Sequence, residues 1–316
     1  MTFELTEPIL LIGLGGVGSR LSDKAKKSLN SDCLLISHDK KDLTSENSIK
    51  ISTKSVVNPS THLIRGSTLE ASDEIKKSME NYSTIILMSN LAGKAGAGIG
   101  PIVSRICKRE QKNLLSFAVM PFKFEKERIF QSGIALKRIR QASQCTIVID
   151  NDALLDSNPD LTQNQCYDIS NKAVESMLHS LKSSEVSNDT NIMSTSKVSD
   201  NIETSLKDSL RMLYEDAPPN SIKRSMLYVY GGNNIQVGVL NTISNITGGT
   251  FDENSTHIEM SSEESRVIML SSINGETKFD KYDPLGIISH ENTIDWDEPE
   301  CSIDCKLDLK QLEYNF

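Results

Sequence analysis

The sequence predicts an α/β fold in which helices cover both faces of a mainly parallel, Rossmann-like sheet. One supporting observation is that apolar segments of strand length alternate with segments whose apolar residues recur at helical spacing. The other is a pair of glycine-rich segments, residues 13–18 and 92–98, each of which follows a predicted strand. Because ligands of such sheets bind beyond the carboxyl ends of the strands, both segments lie on the edge where we expect a ligand.

The first predicted strand covers residues 8–13, and Leu21, Ala25 and Leu29 mark the inner face of the helix that follows. A loop-rich stretch is expected at 40–66. Pro101 occupies a position that suits the start of a helix. The other elements predicted for the first half are strands at 33–37, 84–88, 114–120 and 146–149, and helices at 69–79 and 129–139.

The second half begins with an amphipathic helix at 167–181, followed by a polar stretch at 182–201 that is typical of a flexible loop. Beyond it the patterns predict helices at 202–214 and 239–246, and strands at 226–230, 235–237 and 267–271. We therefore expect four parts: a nucleotide-binding domain (1–165), a central helix with a Ser/Asn-rich loop (166–201), a smaller α+β domain (202–290) and an acidic tail (291–316) that could bind a partner.

The composition excludes several classes of protein. A net charge of −9 argues against nucleic-acid binding, which requires clustered Lys and Arg. The 6 cysteines are scattered and form no CxxC pair, so neither a zinc site nor a thioredoxin-like site is indicated. No apolar run approaches the length of a membrane span, and a cytoplasmic location is expected.

Glycines at this density let backbone N–H groups turn towards one anion, and the following helix adds the positive end of its dipole. Gly13-x-Gly15-x-x-Gly18 also matches the dinucleotide fingerprint, so an NAD-binding or adenylating Rossmann enzyme is an alternative. Gly93-Lys94 resembles the end of a Walker motif, but the motif is not complete, because Ala95 stands where Ser or Thr would hold magnesium.

The order of the motifs resembles the FtsZ side of the tubulin/FtsZ superfamily. After the two glycine segments come Pro121-Phe122-Lys123-Phe124-Glu125 and Ile149-Asp150-Asn151-Asp152-Ala153-Leu154-Leu155, where FtsZ proteins have PFxFEGxxR and IPNDxLL. The resemblance covers residues 8–175 and implies a tubulin-like fold that binds GTP or GDP, with Mg²⁺ possible alongside the nucleotide. It also implies self-association, or assembly with another FtsZ-like subunit, in cell division or cell shape.

The resemblance implies phosphate contacts from both glycine segments, a ribose contact from Glu125, and a guanine site at Tyr167 and Asn171, which share a helix face at i,i+4. A core-packing role for Tyr167 is the alternative. The full set of implied nucleotide-binding residues is Gly15, Gly16, Gly18, Asp39, Arg65, Gly93, Lys94, Ala95, Gly96, Ala97, Gly98, Glu125, Arg128, Tyr167 and Asn171.

Departures from the family pattern predict weak or absent hydrolysis. The catalytic NxDxxD loop should fall near Asn191, where Met193 and Ser196 replace both aspartates, so no catalytic residue is assigned. Asp189 and Asp200 are the nearby acids that could substitute. The further departures are Arg20 and Lys172 in place of polar or acidic residues, and Ala95 and Ala97 in place of the threonines of GGGTGTG. A tubulin-fold scaffold or regulator that has lost nucleotide binding is therefore a second alternative.

Overall fold

A ten-stranded sheet organises the computed structural model, which describes residues 2–53, 58–180, 186–188, 190–197, 199, 201–230, 253–259 and 266–282. Its strands are β2 (Ile9–Leu14), β3 (Asp32–Ser37), β4 (Ser48–Lys50), β5 (Thr84–Asn90), β6 (Asn113–Met120), β7 (Cys145–Asp150), β9 (Thr190–Thr195), β10 (Ile222–Tyr230), β11 (Glu253–Glu259) and β12 (Arg266–Ile273). The order across this sheet is β11-β10-β12-β9-β7-β6-β5-β2-β3-β4. A separate antiparallel pair joins β1 (Thr2–Phe3) to β8 (Val186–Ser187).

The pairing confirms the predicted α/β class. Every neighbouring pair from β4 to β9 is parallel, and so is β10 with β11. Within the described sheet only β12 runs in the opposite direction to its neighbours, because it is antiparallel to both β9 and β10. The carboxyl ends of β2, β5, β6 and β7 consequently share one edge.

Eight helices are described, and they cover both faces of the sheet. Leu11 of β2 packs with Leu21 and Met177 on one face, whereas Leu10 packs with Ile99 on the other. None of the helices in the described part of the chain is long and apolar enough to span a membrane. The helices are α1 (Gly15–Leu29), α2 (Thr61–Glu70), α3 (Ser72–Met79), α4 (Lys94–Arg109), α5 (Lys126–Ala142), α6 (Asn151–Ser157), α7 (Gln163–Ser180) and α8 (Ile202–Asp216).

The strongest difference from the sequence prediction is β9, because residues 190–195 form a strand within the sheet rather than part of a flexible loop. Polar composition suggested a loop, but two polar side chains of this strand, those of Asn191 and Thr195, have hydrogen-bond partners inside the protein. The Asn191 amide donates to the Ser187 carbonyl at 3.0 Å, and the Thr195 hydroxyl donates to the Ser196 carbonyl at 3.3 Å. Buried polar groups with partners cost little, so such a strand is tolerated.

The sheet therefore passes through the predicted boundaries at residues 165 and 201. β9 pairs in parallel with β7 of the first half and antiparallel with β12 of the second, and residues 1–283 form one compact unit. The helix predicted at 69–79 is divided at Ala71 between α2 and α3. The predictions for 235–237, 239–246 and the tail, and the candidates Asp189 and Asp200, fall outside the described residues.

Candidate functional site

The first glycine segment joins β2 to α1 and requires glycine for steric reasons. Gly15 is the first residue of α1 and has φ of +63°, a value that residues with a side chain rarely adopt. A Cβ on Gly18 would lie 2.4 Å from the Met88 carbonyl oxygen of β5. A Cβ on Gly15 would lie 2.9 Å from the Cβ of Ala95. The structure thus brings the two predicted glycine segments into contact.

The second glycine segment is mostly helical, which corrects two predictions. α4 begins at Lys94 after Gly93, so Gly96 lies in its first turn and Pro101 lies inside the helix rather than at its start. The reason is the close approach of the helix to β5, since a Cβ on Gly96 would lie 2.0 Å from the Asn90 carbonyl oxygen. The small residues at this position therefore let the start of α4 rest directly on the end of the strand.

Arg65, which the resemblance implies as a nucleotide-binding residue, lies within α2. Its guanidinium donates to the Ala97 carbonyl of α4 at 3.3 Å. Pro101 has no N–H, so it cannot give Ala97 the usual i→i−4 helical hydrogen bond. Arg65, which is buried, supplies a donor to that carbonyl instead and joins α2 to α4.

Lys94 is exposed at the start of α4, but its ammonium group is engaged within the protein. It donates to the Asn58 side-chain oxygen at 2.8 Å and to the Pro59 carbonyl at 3.0 Å. These bonds hold the segment before α2 against the second glycine segment.

Two acids, Asp39 and Asp42, follow β3, the strand that pairs with β2. Asp39, which the sequence analysis selected, accepts from the Lys41 N–H at 3.0 Å and caps a short 3-10 turn, Lys40–Asp42. Asp42 was missed, and its Oδ1 lies 2.8 Å from the position that a Cβ on Gly16 would take. The available signal in the sequence was that Asp42 follows Asp39 by three residues, shortly after a predicted strand. The turn Lys40–Asp42 is what brings the Asp42 carboxylate to the glycines.

His38 precedes Asp39 and is influenced by the charges of Asp39, Asp42 and Lys94. Burial lowers the pKa of its imidazole, and the charge of Lys94 lowers it further, against the opposing effect of Asp39 and Asp42. Its buried Nδ1 has no hydrogen-bond partner among the described residues.

Glu125 and Arg128, both of which the resemblance implies as nucleotide-binding residues, contact each other. Oε1 of Glu125 forms an ion pair with Arg128 at 2.6 Å, and Oε2 accepts from the Phe122 N–H at 3.2 Å. The ring of Phe122 meets Tyr167 edge to face at 5.4 Å and stacks on Phe124 at 5.1 Å. Phe124 is 58% exposed, so this aromatic group opens to solvent next to the ion pair.

Tyr167 is half-buried on α7, and burial raises the pKa of its phenol. The Gln163 amide donates to its hydroxyl at 3.3 Å. Asn171 lies one turn later on the same helix and is also partly buried. Nearby, the Ser170 hydroxyl donates to the Asn151 side-chain oxygen at 2.7 Å, which fixes α7 to the start of α6.

Comparisons with known proteins find relatives of the sequence and of the fold. The family model described as "Tubulin/FtsZ family, GTPase domain" matches residues 8–159. The cell division protein FtsZ 2 of Halobacterium salinarum is 25% identical over 186 residues, which cover 54% of this chain and 46% of that protein. Residues 8–159 are thus similar to the GTPase domain of the tubulin/FtsZ family, and the chain is FtsZ-like. This FtsZ-like chain thus spans about half the length of that curated relative.

Solved structures show the same fold at low identity. An empty FtsZ dimer from M. jannaschii has a TM-score of 0.66 and 17% identity, with 85% of this chain and 88% of that chain covered. The CetZ2 structure from Haloferax volcanii, a GTPgS-bound protofilament, has a TM-score of 0.60 and 15% identity, with 86% and 95% covered.

The segment that the FtsZ resemblance assigned to the catalytic loop does not form a loop. Asn191 and Met193 lie in β9, and Ser196 is buried directly after it. The Ser196 N–H donates to the Val267 carbonyl of β12 at 3.1 Å. This segment of the FtsZ-like chain is therefore interior.

A buried ionic cluster contains Asp150, Asp216 and Lys278. This FtsZ-like chain departs from the family pattern here, since Asp150 stands where that pattern has proline. Lys278 contacts the carboxylate of Asp150 and lies 2.8 Å from that of Asp216, and both carboxylates are fully buried. Burial raises the pKa of Asp216 well above its usual value, and the charge of Asp150 raises it further. Burial alone would lower the pKa of Lys278, but the two acids raise it. The cluster joins the end of β7 to the end of α8 and to the 3-10 turn Lys278–Tyr282.

Proposed function

We propose that this FtsZ-like chain binds a guanine nucleotide, GTP or GDP, at the carboxyl edge of the sheet. The observation that carries the proposal is the convergence of two helix starts, since Gly15 of α1 lies against Ala95 of α4. Leu14 and Gly93, which precede the two helices, have no side chain that could accept a hydrogen bond from them. First-turn N–H groups without such a cap, at the positive ends of two helix dipoles, suit phosphate.

The side chains fit unequal roles in this site. Glu125 is held by Arg128 and by a backbone N–H, so it is positioned to accept from a ribose hydroxyl. Tyr167 and Asn171 are proposed to contact the base. Arg65 and Lys94 are better suited to positioning α4 than to binding phosphate directly, because both donate to protein oxygens. A bound Mg²⁺ would screen the charge of the phosphates.

Hydrolysis is proposed to be weak or absent. In this FtsZ-like chain the residues to which the resemblance assigns the catalytic loop belong to β9 and its buried end. A buried strand cannot enter the nucleotide site of a neighbouring subunit and position a water molecule there. Binding through backbone N–H groups requires no such acid, so it can persist without catalysis.

Self-association, and a part in cell division or cell shape, complete the proposal. The support is that the similar CetZ2 structure is a protofilament and that the similar H. salinarum protein is a cell division protein. Assembly with another FtsZ-like subunit is the closest variant of this idea. Sedimentation with and without GTP tests both ideas. Assembly of this chain alone would support self-association, whereas assembly only after addition of a second FtsZ would support a mixed polymer.

Thermal unfolding of the full chain with GTP, GDP, ATP or NAD tests the nucleotide class. A ligand at 100-fold its Kd stabilises the folded state by about 2.7 kcal/mol, so guanine nucleotides should raise Tm while ATP and NAD should not. Stabilisation by NAD or ATP alone would support a Rossmann enzyme instead.

The second candidate function is a scaffold that has lost nucleotide binding. The specific observation in its favour is the Asp42 carboxylate beside Gly16, where phosphate would have to lie. No change in Tm with any of the four nucleotides would support this candidate.

A further inference from the structure

Asp42 provides negative charge at the start of α1, which has no acid of its own there. The first turn of α1 contains Gly15, Gly16 and Val17, and no acidic side chain. Oδ1 of Asp42 lies 2.8 Å from the Cβ position of Gly16, and its Oδ2 lies 3.9 Å from that of Gly15. A carboxylate here is favoured by the helix dipole.

The carboxylate is held in this place by a short chain of hydrogen bonds. The Ser37 hydroxyl, at the buried end of β3, donates to Oδ2 of Asp42 at 2.7 Å. The same hydroxyl accepts from the Asp39 N–H at 3.1 Å, and Asp39 caps the turn that carries Asp42. The negative charge is therefore fixed over the glycines rather than free to swing into solvent.

We propose that Asp42 competes with nucleotide phosphate for the start of α1 and so restrains guanine-nucleotide binding, most strongly in the absence of a divalent cation. The inference rests on the proposed function. Phosphate at this helix start would lie within a few ångströms of a fixed carboxylate, and like charges at that distance repel. Of the nearby cations, Lys94 is already engaged by Asn58 and Pro59. A divalent cation between phosphate and carboxylate would convert the repulsion into a bridge.

The test compares binding of fluorescently labelled GDP by the wild-type chain and by Asp42→Asn, in EDTA and in excess Mg²⁺. In EDTA the variant should bind about ten-fold more tightly, as expected for the loss of one partly screened like charge. In excess Mg²⁺ the ratio should shrink towards one. Asp23→Asn is the matched control, because Asp23 is an exposed acid of the same helix that accepts from Thr44 at 3.1 Å. It makes the same change in net charge and should leave both affinities unchanged.

Each outcome separates this inference from the proposed function. If the wild type binds labelled GDP in EDTA and Asp42→Asn binds it equally or more weakly, the inference is overturned but the proposed function is not. A loss of affinity confined to Mg²⁺ also overturns it, because the carboxylate would then hold the cation. Binding by neither protein in either condition overturns both proposals. Asp42→Ser, measured in parallel, removes the charge independently if the asparagine variant does not fold by circular dichroism.

Discussion

Replacing Lys278 with methionine should destabilise the protein far more than replacing Asp216 with asparagine. The buried cluster has one cationic and two acidic side chains, and Lys278 is the group that contacts both acids. Its removal leaves the buried acids without a counter-charge, which typically costs about 3–5 kcal/mol. Replacing Asp216 with Asn removes the acid whose pKa is raised and keeps the pair between Lys278 and Asp150, so we expect a change within about 1 kcal/mol.

The pH dependence gives a second measure of the same cluster. Because the pKa of Asp216 is raised in the folded state, its contribution to stability is fully present below its unfolded pKa of about 3.9 and is lost as pH rises through the folded pKa. The Asp216→Asn variant lacks this loss. The free energy of unfolding of the variant should therefore increase relative to that of the wild type as pH rises from about 4.

Urea unfolding of the full chain, followed by far-UV circular dichroism at several pH values, measures both effects. Equal losses in the two variants would refute the reasoning that Lys278 neutralises a pair of acids. A wild-type to Asp216→Asn difference that is constant with pH would refute the raised pKa of Asp216.

Three further predictions concern packing and use the same unfolding assay. Gly96→Ala should cost about 1–3 kcal/mol of folding stability, because its Cβ would collide with a backbone oxygen of β5. Gly66→Ala is the control: Gly66 has open space around it in α2, so this change should stabilise the protein by about 0.4–1 kcal/mol. Equal effects of the two changes would contradict the close approach of α4 to β5. Arg65→Met should cost about 1–3 kcal/mol by removing the donor to α4, and a neutral result would mean that this carbonyl is satisfied otherwise. Met193→Ala should cost about 2–5 kcal/mol if β9 is interior, but under about 0.5 kcal/mol if the segment is an exposed loop.

The first half of the fold was largely predictable because its parallel strands are buried on both faces. Residues 9–14 and 145–150 are buried throughout, so they appear in the sequence as apolar runs bounded by glycine or polar residues. β9 escaped detection because Asn191 and Ser194 are polar, and only the tertiary structure supplies their surroundings. The start of α4 was misplaced for a related reason. Pro101 normally marks a helix start, but here Arg65 compensates for its missing N–H from another helix.

The candidate site was predictable where spacing along one element sets the geometry, and not where a turn or a distant segment does. Glu125 and Arg128 are three residues apart and form an ion pair. Asp42 required the turn that folds it back over Gly16, and Asp150 required Lys278, 128 positions further along the chain. Family motifs identify the residues that match them, whereas Asp150 stands where the motif has proline and Asp42 stands where no quoted motif specifies a residue.

The continuity of the sheet through β9 limits how the two halves of the chain can move. Among the residues that the structure describes, backbone hydrogen bonds connect β7 to β9 and β9 to β12, so the strands of the glycine edge and β10 and β11 belong to one sheet. Rotation of one half against the other would have to break this ladder. A ligand at the glycine edge would instead affect the second half by bending or twisting the continuous sheet, and β9 is the strand that would transmit this deformation.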